Sequence, residues 1–429
     1  MPNKISIVAG GGANFISRSF YALTCGETTI GIDYGGNVRG DEEQEPDFSV
    51  APDLEYMFYS HAHRDHVFNW PRVSQRFPKL KAQFATHETK LLAVAPLRQA
   101  IRRAERKGIK PLFAEEEVNS AYNSTQEISM EKPIFLPEGI TVYPISASHI
   151  LGSVSYLIEY RGEWVFITND ICYQDRSLIK GAFKISVSGR LRLLVRESTC
   201  INEIKKERED TKNDLVSATK KALANGEQVL FATLSIDRAQ DVYMILKNAG
   251  IEPVIDGSER AFDVYRKYFK GSVLDEAHII GGNPKIRNIE RENIRRRGKP
   301  AVIIAPAGML LPDSPSSWWA ERFLGDERKH IFVVCYQDPT TQGFQLLNSE
   351  VGDFLPFNAG LIKRKCEVGY FDLSAHMDKK DGEELEERMN PDTVFLVHGD
   401  DKEIDSYISE HQSDGRRRIK ALVGQEVEA

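Results

Sequence analysis

A short strand that runs straight into a dense histidine cluster is the strongest constraint in this chain. Residues 55–59 are a mostly apolar, strand-like run, and His61-Ala62-His63-Arg64-Asp65-His66 follows one serine later. Three imidazoles and a carboxylate at a strand end can converge on metal: His61 and His63 on one ion, Asp65 and His66 on a second. Mixed nitrogen and oxygen ligation is typical of hydrolytic zinc. For this segment alone the alternative is a polar turn of hydrogen-bonded histidines. Three further candidate ligands also follow strands. His149 comes after 141–145, Asp170 after 164–168 and His398 after 393–397. A lone histidine is usually structural, but strand ends on one sheet edge share a surface, so position raises each of them.

The five cysteines (Cys25, Cys172, Cys200, Cys335, Cys366) show no CxxC spacing. That argues against a cysteine zinc site and for a reducing compartment. The N-terminus lacks the apolar run of a secretory signal, and no stretch is apolar enough to span a membrane. A cytoplasmic protein without membrane association is therefore expected. The net charge of -7 does not by itself mark a nucleic-acid binder, because only a contact face must be basic. Basic clusters occur from Arg102-Arg103 to Lys110, at Arg295-Arg296-Arg297 with Lys299, at Lys363-Arg364-Lys365 and at Arg416-Arg417-Arg418. Each reads as solvated surface or as part of a phosphate-tracking groove.

The length of 429 residues suits two or three domains. The first two hundred residues read as short strands: 28–33, 55–59, 141–145, 155–160, 164–168 and 193–195, with a hairpin around Arg161-Gly162. From about residue 203 the texture changes. A charged helix over 203–224 precedes strands at 229–233, 253–255, 301–305 and 331–335, alternating with helices at 238–248 and 261–269. That alternation predicts a parallel α/β domain. Strands at 367–371 and 393–397 and helices at 383–388 and 402–411 close the chain. The result is a β-rich domain interrupted by an α/β insertion.

Taken together, these motifs resemble the metallo-β-lactamase superfamily, and more closely its β-CASP nucleases, the group of ribonuclease J and the mRNA 3′-end cleavage nuclease. Asp33 lies in GIDYG, Ser60 to His66 reads SHAHRDH, Ser148 to Ser153 reads SHILGS and Ile167 to Asp170 reads ITND. The insertion adds Glu197 in RESTC, Arg238-Ala239-Gln240, Gly308-Met309-Leu310, His376 in LSAHMD and His398 in VHGD. The resemblance covers nearly the whole chain and matches the family's order of motifs. It implies an αββα sandwich with an inserted α/β domain: residues 1–203 and 359–429 forming the sandwich, 204–358 the insertion.

The resemblance also implies roles. His61, His63 and His149 would bind one zinc; Asp65, His66 and His398 the other; Asp170 would bridge them. Manganese is the alternative metal. Asp33 would orient a ligand histidine, His376 would act as general acid, and Glu197 would hold its tautomer. Asp65 would serve catalysis as well as ligation. Ser374 and Gly308 are candidate phosphate-binding positions. The implied reaction is hydrolysis of RNA phosphodiester bonds, endo or 5′-exo, on single-stranded RNA; a homodimer is compatible. A histidine at position 398 favours RNA, since valine is usual in the family's DNA-repair branch. DNA, a small ester, or a non-catalytic scaffold role are the rival readings. The stretches flanking Asp33 and His398 imply the compact catalytic core alone.

Several positions depart from the family. Asn169 and Ala375 replace glycines, and Asp400 stands for glutamate. The loop from Pro306 to Asp313 has Ala307 where the family has serine, and lacks a glycine pair. Donors and close backbone approach are lost there, so substrate preference is expected to differ. Trp318-Trp319 suit either base stacking or core packing.

Overall fold

The computed structural model describes residues 4–37, 44–296 and 299–429. Arg297 of the second basic cluster lies outside them. The chain divides into two compact units. The first comprises Met1–Asp175, Ile179–Ile204 and Ala375–Ala429; the second comprises Arg176–Leu178 and Lys205–Ser374.

Two seven-stranded sheets make up the first unit. One runs in the order Glu426–Glu428, Ile5–Gly11, Phe20–Cys25, Thr28–Ile32, Leu54–Phe58, Ala82–Thr86, Thr125–Ile128. The other runs Arg417–Lys420, Thr393–Val397, Arg190–Glu197, Glu163–Ile167, Val154–Tyr160, Ile140–Ser146, Ile134–Phe135. The period of two sorts their side chains. Val165, Ile167, Leu193, Val195, Phe395 and Val397 face a core shared with Ile7, Leu23, Ile30, Ile32 and Phe58 of the first sheet. Their neighbours Phe166, Leu194, Val394 and Leu396 pack instead with Leu385, Ile404 and Tyr407 of the helices Lys379–Met389 and Asp401–Glu410. Strands buried on both faces read as continuous apolar runs, as these do. On the far side, helix His87–Arg106 lies against Ala82–Thr86. The layers are therefore helix, sheet, sheet, helix.

That last helix escaped sequence reading. It holds Pro96 and five arginine or lysine side chains, and proline argues against a helix interior. Tertiary burial of Leu92, Ala93, Leu97 and Ile101 overrides the local signal. The charged helix also begins later than expected, at Arg208; the carbonyl of Glu203 accepts a bond from the Lys379 amide at 2.9 Å instead of one within a helix.

A six-stranded, all-parallel sheet forms the second unit, in the order His278–Ile279, Pro253–Ile255, Ala301–Pro306, Gln228–Thr233, Lys329–Val333, Glu367–Tyr370. The last strand pairs with Lys329–Val333, so it stays with this unit although it follows position 359 in the chain. Trp319 is fully buried and its indole N–H donates to Asp256 Oδ2 at 2.6 Å. The Arg322 guanidinium lies 3.8 Å from the Trp318 ring centroid. Both tryptophans are thus committed to packing. Among the described residues no helix is long and apolar enough to cross a membrane.

Candidate metal centre

Strand ends deliver the candidate ligands to one place in the first unit. Leu54–Phe58 continues through Tyr59, whose amide bonds the Phe84 carbonyl at 2.9 Å, and so aims Ser60 and His61. A single helical turn, Arg64–Val67, follows with His63 at its N-cap; it carries Asp65 and His66. His149 sits in the loop after Ile140–Ser146, its amide donating to Ser153 Oγ at 2.9 Å. Asp170 follows Glu163–Ile167, and His398 follows Thr393–Val397.

Three of these turns need left-handed backbone: Asp33 (φ 61°), Asn169 (φ 48°) and His398 (φ 55°). Such geometry is rare outside glycine and costs about 1–3 kcal/mol unless the surroundings impose it. At Asn169 it explains the family's glycine. Asparagine is among the side chains that tolerate the conformation, and its Nδ2 donates to the Val154 carbonyl at 2.8 Å.

Two sets of ligand atoms result, buried except at half-buried His63. His61, His63, His149 and Asp170 form one; Asp65, His66 and His398 form the other, with ligand atoms in each set within 4.8 Å of one another. His63 Nδ1 lies 3.1 Å from His61 Nε2 and 3.0 Å from His149 Nε2. Asp170 touches both sets. Its Oδ2 is 3.5 Å from His61 Nε2, 3.6 Å from His149 Nε2 and 3.4 Å from His66 Nε2. Its Oδ1 is 3.4 Å from His398 Nδ1. Asp65 Oδ2 is 3.2 Å from His398 Nε2.

Ring protons follow from the partners on the outer side. His149 Nδ1 donates to the Ala375 carbonyl at 2.8 Å, which leaves Nε2 as a lone pair facing inward. His66 Nδ1 donates to Asp33 Oδ2 at 2.6 Å. Ser60 Oγ donates to the same carboxylate at 2.6 Å, so it accepts from His61 Nδ1 at 2.9 Å. His61 Nε2 is then also an inward lone pair. Ser60, Ser153 and the Ala375 carbonyl were not singled out by sequence. The serines stand inside the quoted motifs, but a backbone carbonyl leaves no trace in side-chain identity.

These groups fit a cation. Burial and neighbouring imidazolium charge hold His61 and His149 well below the ordinary histidine range, so both are neutral donors of electron pairs. Burial opposes charge at His66 too, yet the Asp170, Asp33 and Asp65 carboxylates raise it well above that range. Asp65 and Asp170 resist burial and stay ionised through His66 and His398. Positive charge is thus drawn inward. Among the described residues, His66 Nε2 and Asp170 Oδ1 are buried without a hydrogen bond. The Nε2 lone pairs of His61 and His149, turned toward the Asp170 carboxylate in a dry site, call for a metal ion.

Beside this cluster, His376 Nδ1 lies 3.2 Å from Glu197 Oε1. Burial works against the Glu197 charge, but His376 lowers its pKa below the usual carboxylate value. The His376 side chain keeps 17% exposure against 1% for Glu197, so solvent reaches the imidazole and not the carboxylate. The rings of His376 and His149 are 4.6 Å apart.

Ser374 and Gly308 belong to the second unit. Ser374 Oγ accepts from Lys205 Nζ at 3.2 Å, and the Ser374 carbonyl accepts from Arg208 at 3.2 Å. A Cβ at Gly308 would lie 2.2 Å from Cys335 Sγ, so packing alone requires glycine there. Ala307, in serine's place, has φ 72°. His87, His330 and His411 pair with Glu127, Glu227 and Glu383 at 2.9, 2.7 and 2.9 Å. His278 is exposed.

Residues 361–419 match the family described as the Zn-dependent metallo-hydrolase RNA specificity domain. The probable RNase MJ4 of Methanocaldococcus jannaschii is 25% identical over 411 residues, covering 92% of this chain and 94% of that protein. The transcription termination factor FttA of Thermococcus kodakarensis is 26% identical over 92% of this chain and 67% of its own length. The endoribonuclease ysh1 of Schizosaccharomyces pombe is 24% identical over 91% of this chain, which spans only 53% of that protein. A crystal structure of a protein of unknown function from Enterococcus faecalis superposes with a TM-score of 0.61 at 13% identity, covering 99% of this chain and 100% of that one. That likeness speaks to the fold alone.

Proposed function

We propose that this chain is a member of the metallo-β-lactamase β-CASP ribonuclease family and hydrolyses phosphodiester bonds in single-stranded RNA with two zinc ions. One observation carries the reading. Two sets of ligand atoms meet at Asp170, with a carboxylate–imidazole pair, Glu197 and His376, alongside. His61, His63 and His149 would hold one ion; Asp65, His66 and His398 the other; Asp170 would belong to both. Zinc bound there supplies Lewis-acid polarisation of phosphoryl oxygen and a nucleophile at neutral pH.

The protein's own groups do the rest. Asp33, Ser60 and the Ala375 carbonyl hold the Nδ1 protons of His66, His61 and His149, so that the Nε2 atoms point inward. Glu197 Oε1 accepts the proton on His376 Nδ1 and so orients the ring. His376 Nε2 then carries the proton that the leaving ribose oxygen needs, and its exposure lets solvent return that proton after each turnover. This pair favours a nuclease over a thioester hydrolase, whose thiolate leaving group needs no such acid.

The test is a metal measurement joined to a substrate panel. Purified chain should contain about two zinc ions and cut RNA in preference to DNA of the same sequence. An Asp65→Ala/His66→Ala variant should lose at least one ion and lower cleavage by on the order of 10⁴-fold. Cleavage of DNA in preference to RNA, or activity surviving the double substitution, overturns the proposal.

A further inference from the structure

We infer that Thr199 is a positioning residue that fixes the metal-facing tautomer of His398 and, through its backbone, grips Glu197. The inference rests on the metal-site reading above and extends it to a residue outside both ligand sets.

Register explains why Thr199 can do this. The strand Arg190–Glu197 pairs in parallel with Thr393–Val397, and Glu197 is the register partner of Val397. Residues just past the two strand ends therefore meet. Thr199 Oγ1 lies 3.1 Å from His398 Nδ1 and 3.2 Å from the His398 carbonyl oxygen. The Thr199 amide donates to Glu197 Oε2 at 2.9 Å, while Glu197 Oε1 faces His376.

A threonine hydroxyl has one proton and two lone pairs. The carbonyl can only accept, so the proton goes to it. A lone pair then faces His398 Nδ1, and a neutral ring beside it carries its proton on Nδ1. Asp170 Oδ1, 3.4 Å from the same nitrogen, makes no hydrogen bond to it but places negative charge on that side, which favours the same tautomer. Nε2 keeps its lone pair, 3.2 Å from Asp65 Oδ2, where the second ligand set converges. The contact to the His398 carbonyl also steadies a residue held at φ 55°.

The hydroxyl and the amide of Thr199 act separately, which makes the idea testable. Thr199→Val keeps shape, branching and the amide bond to Glu197, and removes only the hydroxyl. Thr199→Ser keeps the hydroxyl. Zinc affinity would be measured by chelator competition on the full chain, with the 15N signals of histidine recorded on the zinc-loaded protein. Valine should weaken one of the two zinc ions about 10–100-fold and leave the other unchanged. It should also broaden or shift the His398 ring signals while the melting curve of the zinc-free chain stays put. Serine should restore affinity to within about threefold of the wild type. Equal zinc affinity for valine and wild type, or serine behaving as valine, overturns the inference. A wild-type chain that binds two zinc ions without cutting RNA would overturn the substrate reading alone, and the valine–serine affinity contrast would still decide Thr199.

Discussion

The first unit buries two polar clusters that differ in one respect. In the metal centre, the Nε2 lone pairs of His61 and His149 face the Asp170 carboxylate. In the cluster around Glu386, donors face an acceptor. Arg196 and Glu386 are both fully buried and paired. Arg196 also donates to Tyr407 Oη at 2.8 Å, with its guanidinium 4.8 Å from that ring's centroid. Arg418 Nε donates to the other Glu386 oxygen at 2.9 Å. Burial opposes charge on Glu386, but Arg196 and Arg418 lower its pKa below the ordinary value. Gly382 makes room: a Cβ there would fall 1.8 Å from an Arg196 nitrogen. This cluster matches each Glu386 oxygen with a guanidinium and ties helix Lys379–Met389 to the sheet, although Arg196 Nε and one terminal Arg196 nitrogen are buried without a hydrogen bond. The metal centre is completed only by a cation. Counting buried charges would not separate the two; asking which atoms face each other does.

The contrast can be broken from either side. Glu386→Ala leaves buried guanidinium groups without their carboxylate and should cost about 3–5 kcal/mol of stability, read from urea unfolding of the zinc-free chain. Zinc stoichiometry of the folded fraction should not change. If zinc is lost instead, the two clusters are not independent. His376→Gln removes the proposed acid but no ligand. It should lower the single-turnover rate of RNA cleavage by about 10²-fold, close to 2.7 kcal/mol, with zinc content intact. An unchanged rate would remove His376 from the mechanism.

The smallest effect is a slope. Zinc must displace protons from His66 and His398, whose folded-state pKa values are raised by nearby carboxylates. Asp65 and Asp170, lowered and already ionised, have none to release. Affinity should therefore rise with pH, continue rising above the ordinary histidine range, and change about tenfold per unit for each displaced proton, or about 1.4 kcal/mol. Isothermal titration across pH would show it. A flat profile would mean that these two histidines are not charged in the zinc-free chain.

Much of the fold was legible because apolar runs of strand length stand out when both faces of a sheet are buried. The alternation of strand and helix after residue 203 likewise announced a parallel sheet. Helix His87–Arg106 was not legible, since Pro96 and its basic residues are decided by packing rather than by local preference. The strand Glu367–Tyr370 could be seen, but not its partner Lys329–Val333, which is a matter of long-range pairing.

At the candidate site, residue type and spacing named the histidines and carboxylates, because metal chemistry restricts which side chains can serve. Sequence alone determined that inventory, and with it the family resemblance. Tertiary structure alone decided which ring nitrogen faces inward. That choice is made by Asp33, Ser60, Thr199 and the Ala375 carbonyl on the far side of each ring. A tautomer depends on which acceptor lies within about 3 Å, and such distances exist only after distant strand ends have been brought to one edge.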